Sequence, residues 1–229
     1  MHTPPVDSPP RPPDHRGTVR SATALAASSV LLLVLVAAEW GPLIALDGDI
    51  ARTTHRWAVD GPGTTQAFRI LTDWVWDPWT MRILCAAVVV WLMWRHAAWW
   101  TALWLAVTVA LGTLVQQSLK AAVGRTRPVW PDPVDSAHYA AFPSGHAMTA
   151  TVVCGLLLWL LHRYGPGRTL WRTAVAVAVI SVAGVGLTRV WLGVHWASDV
   201  VGGWLLGATL VALAVMAHRR WVPEASPSR

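Results

Sequence analysis

Six runs of apolar residues alternate with short polar segments along this chain of 229 residues. A helix of about 20 apolar residues crosses the hydrocarbon core of a bilayer, and it satisfies its backbone hydrogen bonds internally. The pattern therefore predicts an all-α fold, a polytopic membrane bundle of six transmembrane helices. The six predicted spans cover residues 21–39, 80–94, 97–119, 144–161, 169–188 and 197–217.

The segments outside the spans differ in character. Residues 1–19 contain six prolines and several charges, so they are predicted to form a disordered cytoplasmic tail. Residues 20–220 are predicted to form one six-span domain, followed by a polar tail at 221–229. The first span is long for a signal peptide and lacks a convincing cleavage site, so we expect a retained helix. Residues 41–63 are polar, whereas residues 64–75 have apolar positions at helical spacing and predict a short interfacial helix.

Composition and charge agree with a membrane protein. Hydrophobic residues make up 54% of the chain and charged residues 13%, which is too little polar surface for a soluble domain. The net charge of +6 does not indicate a nucleic-acid partner, because ten of the 18 cations lie on the side of the membrane that holds both termini. The opposite side carries five once Lys120, Arg127 and Arg189 are set aside. The positive-inside rule then predicts that both termini are cytoplasmic. We expect a multi-pass protein of the plasma membrane.

The cysteines and histidines do not predict a metal site or a disulfide. Cys85 and Cys154 each lie within an apolar run, where a small buried thiol is the usual role. No cluster of Cys and His has the spacing of a metal site. We therefore expect no metal and no cofactor.

The only lysine of the chain lies where the third span ends. Lys120 is followed seven residues later by Arg127, and Pro128 stiffens the loop after it. Two cations at a membrane surface have an ordinary explanation, because long basic side chains extend from helix ends to the interface. The alternative is that the two cations bind an anion together.

Pro143, Ser144, Gly145 and His146 begin the fourth span. Ser144 is a residue type that caps helix N-termini, and Gly145 allows a ligand to approach the backbone. The free N–H groups and the dipole of a helix start attract an anion, which would then lie near His146. An ordinary capped helix with a surface histidine is the alternative.

Arg189 ends the fifth span, and His195 and Asp199 lie around the start of the sixth. Residues four apart share a helix face, so Asp199 can accept a hydrogen bond from one ring nitrogen of His195. That contact fixes the tautomer and leaves the other nitrogen as a nucleophile. The alternative is a buried pair that only holds helices together, although polar residues within spans are commonly functional.

Together the three groups resemble the motifs of the type 2 phosphatidic acid phosphatase (PAP2) family, in the family's order and at similar separations. The resemblance covers roughly residues 80–217 and includes the six-span layout. Thr188 departs from the serine usual at this position in the family, but it keeps a hydroxyl. The matching residues are Lys120 and Arg127-Pro128, then Pro143-Ser144-Gly145-His146, then Arg189 with His195 and Asp199.

The resemblance implies a metal-independent phosphatase. In that mechanism His195 attacks phosphorus and forms a phosphohistidine, while Asp199 orients it. His146 protonates the leaving oxygen and later activates water. Side chains and backbone N–H groups hold the phosphate oxygens. The phosphate-binding residues implied are Lys120, Arg127, Ser144, Gly145 and Arg189.

The implied substrate is a lipid phosphate or diphosphate. The implied partners are membrane lipids, and the site is expected at the outer face of the membrane. A phosphotransferase using the same intermediate is an alternative, and a non-catalytic lipid carrier is another. Neither the lipid nor the oligomeric state follows from the residues. Arg125 is interpreted either as a solvated loop residue or as a contact for a second phosphate, and His138 as solvated.

Overall fold

Every regular element in the computed structural model, which describes residues 15–221, is helical. A π-helical turn, Leu71–Val75, follows the third helix. The helices are α1 (His15–Ala37), α2 (Gly41–Asp60), α3 (Pro62–Ile70), α4 (Pro78–His96), α5 (Trp99–Val123), α6 (Gly145–Arg163), α7 (Arg168–Trp191) and α8 (Ala197–Trp221).

Six helical segments are long and apolar enough to cross a membrane, which confirms the predicted fold class. The second of them, Pro62–His96, combines α3, the π-helical turn and α4. Residues 15–19, predicted as the end of a tail, already belong to α1, and Trp221 ends α8. The rest of both predicted tails lies outside the described residues.

Helix α2 was not predicted, because its buried face is not apolar. The buried residues Asp47, Ala51, His55 and Ala58 recur every three or four positions, as one helix face requires. Two of these four side chains are ionisable, so the hydrophobic period that normally reveals an amphipathic helix is absent. Their burial is explained by tertiary partners near the candidate site.

Helix α6 lies at the centre of the bundle and packs against α4, α5, α7 and α8. Its contact with α8 is very close. A Cβ atom on Gly203 would lie 2.8 Å from the carbonyl oxygen of Ser144, and one on Gly207 would lie 2.9 Å from Cβ of Thr151. Small residues allow membrane helices to approach in this way. The approach brings the beginnings of α6 and α8 together.

One face of α5 is buried along its length, and this buried stripe of residues ends at the same end of the bundle. The stripe repeats every three or four residues, as one face of a helix does. Lys120 is its last member and is only 8% exposed. Gly124, with φ of 59°, then ends the helix in the left-handed conformation. The stripe consists of Ala102, Leu105, Thr108, Gly112, Gln116 and Lys120.

Candidate active site

The three motif groups converge on one cavity of about 380 Å³. It lies where α5 and α7 end and α6 begins, beneath the loop 124–144 and beside the connection 192–196. Two of the predicted residues, Ser144 and Asp199, are fully buried behind it. The other six line it: Lys120, Arg127, Gly145, His146, Arg189 and His195.

A short turn after α7 positions His195. Gly193 has φ of 67°, and a Cβ atom there would lie 2.5 Å from Nε1 of Trp130. The same Nε1 donates a hydrogen bond to the carbonyl oxygen of Gly193 at 3.0 Å. Trp130 in turn stacks on His55 of α2 with ring centroids 4.0 Å apart. Glycine is therefore needed at this turn, and the loop holds the turn against α2.

The hydrogen bonds of His195 determine its tautomer. Nδ1 lies 3.3 Å from Oδ2 of Asp199, and Nε2 lies 3.1 Å from Nη1 of Arg127. A guanidinium only donates, so Nε2 is the acceptor and the ring hydrogen is on Nδ1, facing Asp199. Nε2 therefore keeps its lone pair, which accepts from Arg127 in this structure and is the group that a nitrogen nucleophile would use.

The surroundings of His195 favour a neutral ring. Burial lowers the pKa of His195 well below 6.5, and the positive charges of Arg127, Arg189 and Lys120 lower it further. An imidazole that stays neutral keeps its lone pair over a wide range of pH.

Two of the cations are held by backbone carbonyl groups. Arg127 donates through Nε to the carbonyl oxygen of Tyr139 at 2.5 Å and through Nη1 to that of Val194. Lys120 donates through Nζ to the carbonyl oxygen of Ala140. The loop 124–144 and the connection after α7 thus orient both side chains toward the cavity.

Arg189 is the most buried of the cavity-lining cations, with 5% of the residue exposed. Its Nε has no hydrogen-bond partner among residues 15–221. Its Nη1 lies 4.0 Å from a carboxylate oxygen of Asp73 and 3.9 Å from one of Asp135, beyond direct hydrogen-bonding distance. Burial and the charge of Arg189 also lower the pKa of Arg127 to about 10, which leaves Arg127 charged at neutral pH.

The backbone N–H of Ser144 is already used, so the prediction that it holds a phosphate oxygen is wrong. It donates to the carbonyl oxygen of Asp199 at 2.9 Å, because α8 begins directly against the start of α6. The Ser144 hydroxyl makes no capping hydrogen bond and is buried without a partner in the described part of the chain. Gly145 faces α5, where a Cβ atom would lie 2.7 Å from Nε2 of Gln116.

The structure also brings acidic residues to the site that no motif indicated. Asp77 lines the cavity, and its Oδ2 lies 3.9 Å from Nε2 of His146. The other Asp77 oxygen accepts the N–H of Trp79 at 2.8 Å and caps α4. In the sequence Asp77 follows the interfacial helix predicted at residues 64–75 and belongs to none of the three motifs. Further polar residues of the lining are Arg82, Gln116, Gln117, His138 and Tyr139.

Arg125 corrects both interpretations made from the sequence. Its side chain is 10% exposed, so it is not solvated. It forms ion pairs with Asp47 at 2.7 Å and with Asp199 at 2.6 Å, so it is not available to hold a second phosphate. The partner in α2 lies 78 residues away in the chain, and local sequence gives no sign of it.

A model of the PAP2 superfamily matches residues 101–223, more than half of the chain, and the match contains all three motifs. The chain belongs to the PAP2 superfamily. Helices α1 to α4 precede the matched residues, so Asp47 and Asp77 lie in a part of this PAP2 protein that the family model does not cover.

Two curated relatives of this PAP2 protein carry names of lipid phosphatases. Phosphatidylglycerophosphatase B of Bacillus subtilis is 34% identical over 116 residues, or 50% of this chain and 56% of that protein. Decaprenylphosphoryl-5-phosphoribose phosphatase of Mycobacterium tuberculosis is 38% identical over 98 residues, or 42% and 49%. The PAP2 protein therefore spans about half the length of these relatives.

A solved structure supports the fold over a larger part of the chain. The crystal structure of a transmembrane PAP2-type phosphatidylglycerolphosphate phosphatase from Bacillus subtilis superposes with a TM-score of 0.78. The superposition covers 87% of this chain and 96% of the other at 21% identity. At that identity the likeness establishes the helical architecture alone.

Proposed function

We propose that this PAP2 protein is a metal-independent membrane phosphatase that removes phosphate from a lipid through a phosphohistidine on His195. The observation that carries the proposal is the position of His195 Nε2. Its lone pair lies 3.1 Å from Arg127 while Asp199 accepts from the opposite nitrogen. Lys120 and Arg189 line the same cavity. A phosphate bound by these cations would present its phosphorus to the lone pair.

In the first step Nε2 of His195 forms a bond to phosphorus, and the bond from phosphorus to the lipid oxygen breaks. A protonated His146 gives its proton to that oxygen, so the lipid leaves as an alcohol or a lipid monophosphate. Asp199 stabilises the positive charge that develops on the His195 ring. Lys120, Arg127 and Arg189 stabilise the charge on the equatorial phosphate oxygens.

In the second step neutral His146 accepts a proton from water as the water oxygen attacks phosphorus. The bond from phosphorus to Nε2 breaks, inorganic phosphate leaves, and His195 returns to its original form. The cations that stabilise the first transition state also stabilise the second, because the same equatorial oxygens carry the charge. Gly145 lines the cavity at the start of α6.

The names of the relatives support a lipid substrate, since each refers to the phosphate of a lipid. The six membrane-crossing segments agree with a substrate whose apolar tails remain in the bilayer. We further propose that the site is at the outer face of the plasma membrane. The even number of spans and the excess of arginine on the side of the termini support this orientation.

Phosphate release from purified protein tests the function. A panel of phosphatidate, phosphatidylglycerophosphate, a sphingoid phosphate and a polyprenyl diphosphate in detergent should include at least one substrate. Transfer of a labelled phosphate group to a lipid hydroxyl, with no release of inorganic phosphate, would identify a phosphotransferase. Binding of a lipid without turnover would identify a carrier.

Activity is expected to survive EDTA, because the three cations supply the charge stabilisation that a metal ion provides in other phosphatases. Vanadate should inhibit, since it can adopt the trigonal-bipyramidal geometry of the transition state. Phosphate release is measured with EDTA, with added Mg²⁺ and with vanadate. Strict dependence on Mg²⁺ would contradict the proposal.

The orientation is testable with cysteines at two exposed positions, Ser136 in the loop 124–144 and Thr169 in the first turn of α7. Cys85 and Cys154 would first be replaced by alanine. An impermeant thiol reagent applied to intact cells should label Ser136→Cys and not Thr169→Cys. Both should be labelled after permeabilisation, which is the control. The opposite pattern in intact cells would place the site in the cytoplasm.

Titration of His195 is not expected to limit the rate near neutral pH. Because its pKa in the folded protein lies well below 6.5, protonation of His195 should not reduce kcat/KM as the pH falls through 6.5. Stability behaves differently, because the unfolded chain takes up that proton near its ordinary pKa and folding is then disfavoured at lower pH. The measurements are the pH profile of kcat/KM and the pKa of His195 from NMR. A fall in kcat/KM near pH 6.5 that matches an NMR pKa of about 6.5 for His195 would contradict this expectation.

A further inference from the structure

A buried network of polar side chains lies directly behind His195, and no motif assigns it a role. Arg125 donates through Nη2 to Oδ2 of Asp47 at 2.7 Å, and through Nη1 to Oδ1 of Asp199 at 2.6 Å. The same Nη1 donates to Oγ of Ser198 at 2.7 Å. Asp47 also accepts the N–H of Ser198 at 2.9 Å and its hydroxyl hydrogen. The network therefore joins α2, the loop after α5 and the start of α8.

The network determines how the Asp199 carboxylate is oriented. Arg125 occupies Oδ1, whereas Oδ2 accepts the N–H of Trp196 at 2.9 Å and faces Nδ1 of His195 at 3.3 Å. Without the contact to Oδ1, the carboxylate could rotate away from this orientation, which would weaken the hydrogen bond to His195. Arg125 thus acts on the nucleophile through Asp199 and does not reach the substrate itself.

Asp47 balances the charge of Arg125, whose side chain is only 10% exposed. Asp47 is 2% exposed and Asp199 is fully buried. Each buried carboxylate therefore requires a cation or hydrogen-bond donors as partners. Asp47 occupies the second half of the guanidinium fork and so fixes the direction of the first half. It also holds the first turn of α8 through Ser198, which is one residue from Asp199 in the chain.

We propose that Asp47 and Arg125 are positioning residues for the nucleophile, which fix the Asp199 carboxylate and hence the Nδ1–H tautomer of His195. The inference rests on the proposed function, because it takes His195 as the nucleophile. It goes beyond the family match, since Asp47 lies in α2, outside residues 101–223.

The first test is kinetic. Asp47→Asn keeps the shape of the side chain and removes its charge. We expect kcat to fall on the order of ten- to a hundredfold, by analogy with loss of the hydrogen-bond partner behind a metal-ligating histidine. KM should change little, because Asp47 does not line the cavity around His195. The matched control is Asp49→Asn on the same helix, whose side chain is 72% exposed and which should leave both constants unchanged. An unchanged kcat in Asp47→Asn would overturn the proposal.

A double-mutant cycle separates positioning from a role in packing α2. If Asp47 acts through Asp199, Asp47→Asn should cost much less in an Asp199→Asn background than in the wild type. If Asp47 only supports the packing of α2, the two losses should multiply, and the proposal would be wrong. Arg125→Lys provides a second route should Asp47→Asn not fold. It keeps the charge but cannot contact Asp47 and Asp199 as a fork, so it should lower kcat in the same way.

A spectroscopic test does not depend on turnover. The ring nitrogens of ¹⁵N-labelled histidine distinguish the two neutral tautomers, and the His195 signal is assigned with His195→Ala. The wild type should show Nδ1–H, and Asp47→Asn should show a mixture. An unchanged tautomer in both Asp47→Asn and Arg125→Lys would overturn the inference. Failure of every lipid to release phosphate would instead count against the proposed function and leave this result interpretable.

Discussion

Replacing His195 by alanine is expected to remove turnover, with kcat falling on the order of 10⁴- to 10⁶-fold, as in other enzymes that lose their nucleophile. No other residue that lines the cavity has a neutral nitrogen fixed between a carboxylate and a guanidinium. His146 cannot replace it, because its Nε2 faces Asp77 at 3.9 Å. Phosphate release is the measurement. Full activity in His195→Ala would refute the phosphohistidine mechanism.

Asp199→Asn is expected to be milder, with a loss of about two to three orders of magnitude in kcat, by analogy with other pairs of nucleophile and orienting carboxylate. The asparagine keeps the position but can present an N–H to His195, which favours the wrong tautomer. It also removes one of the two carboxylates that hold Arg125. The thermal stability of each variant, measured in the same detergent, separates a lost function from a lost fold. A loss in Asp199→Asn as large as in His195→Ala would show that Asp199 does more than orient the ring.

The spans and the cavity-lining residues could be predicted because both depend on local pattern. Long apolar runs separated by polar turns determine the number of helices. Two spans, α6 and α7, separate the segment with Lys120 and His146 from the segment with His195, which brings all three to one end. Each of these residues lies at a helix terminus or in a short connection, where polar groups meet the membrane surface. These features follow from the sequence without information on which helices are in contact.

What could not be predicted depends on contacts between distant segments. Helix α2 was overlooked because Asp47 and His55 lie on its buried face, and their partners Arg125 and Asp132 are about 80 residues away. The N–H of Ser144 appeared free because local capping rules do not include the carbonyl oxygen of another helix. In both cases a polar group forms a hydrogen bond or ion pair with a distant segment of the chain, and the period of hydrophobic residues does not reveal such contacts.

The same reasoning explains why Arg125 and Arg127 differ although they are two residues apart. Asp47 and Asp199 surround Arg125, so its charge is neutralised inside the fold. Arg127 is held by the carbonyl oxygens of Tyr139 and Val194, which orient the guanidinium without neutralising it. The charge of Arg127 therefore remains for an anion, and only the three-dimensional partners separate the two roles.

Arg189→Lys is expected to lower kcat/KM about 10²- to 10³-fold, even though the positive charge is kept, because loss of one well-placed donor to transition-state charge has an effect of this size. The guanidinium of Arg189 is buried, and its Nε has no partner within residues 15–221. In the proposed mechanism it would offer a planar pair of donors to a phosphate. An ammonium group is a point charge that cannot make two parallel hydrogen bonds.

The control for that substitution is Arg52→Lys on the exposed face of α2, where the side chain is 65% exposed and activity should not change. Vanadate inhibition gives a second measurement, because a transition-state mimic should lose affinity in Arg189→Lys roughly in proportion to kcat/KM. If Arg189→Lys keeps wild-type kcat/KM and vanadate affinity, the guanidinium serves mainly to balance Asp73 and Asp135, which lie about 4 Å away. The phosphate would then be held by Lys120 and Arg127, and the buried position of Arg189 would be explained by charge balance alone.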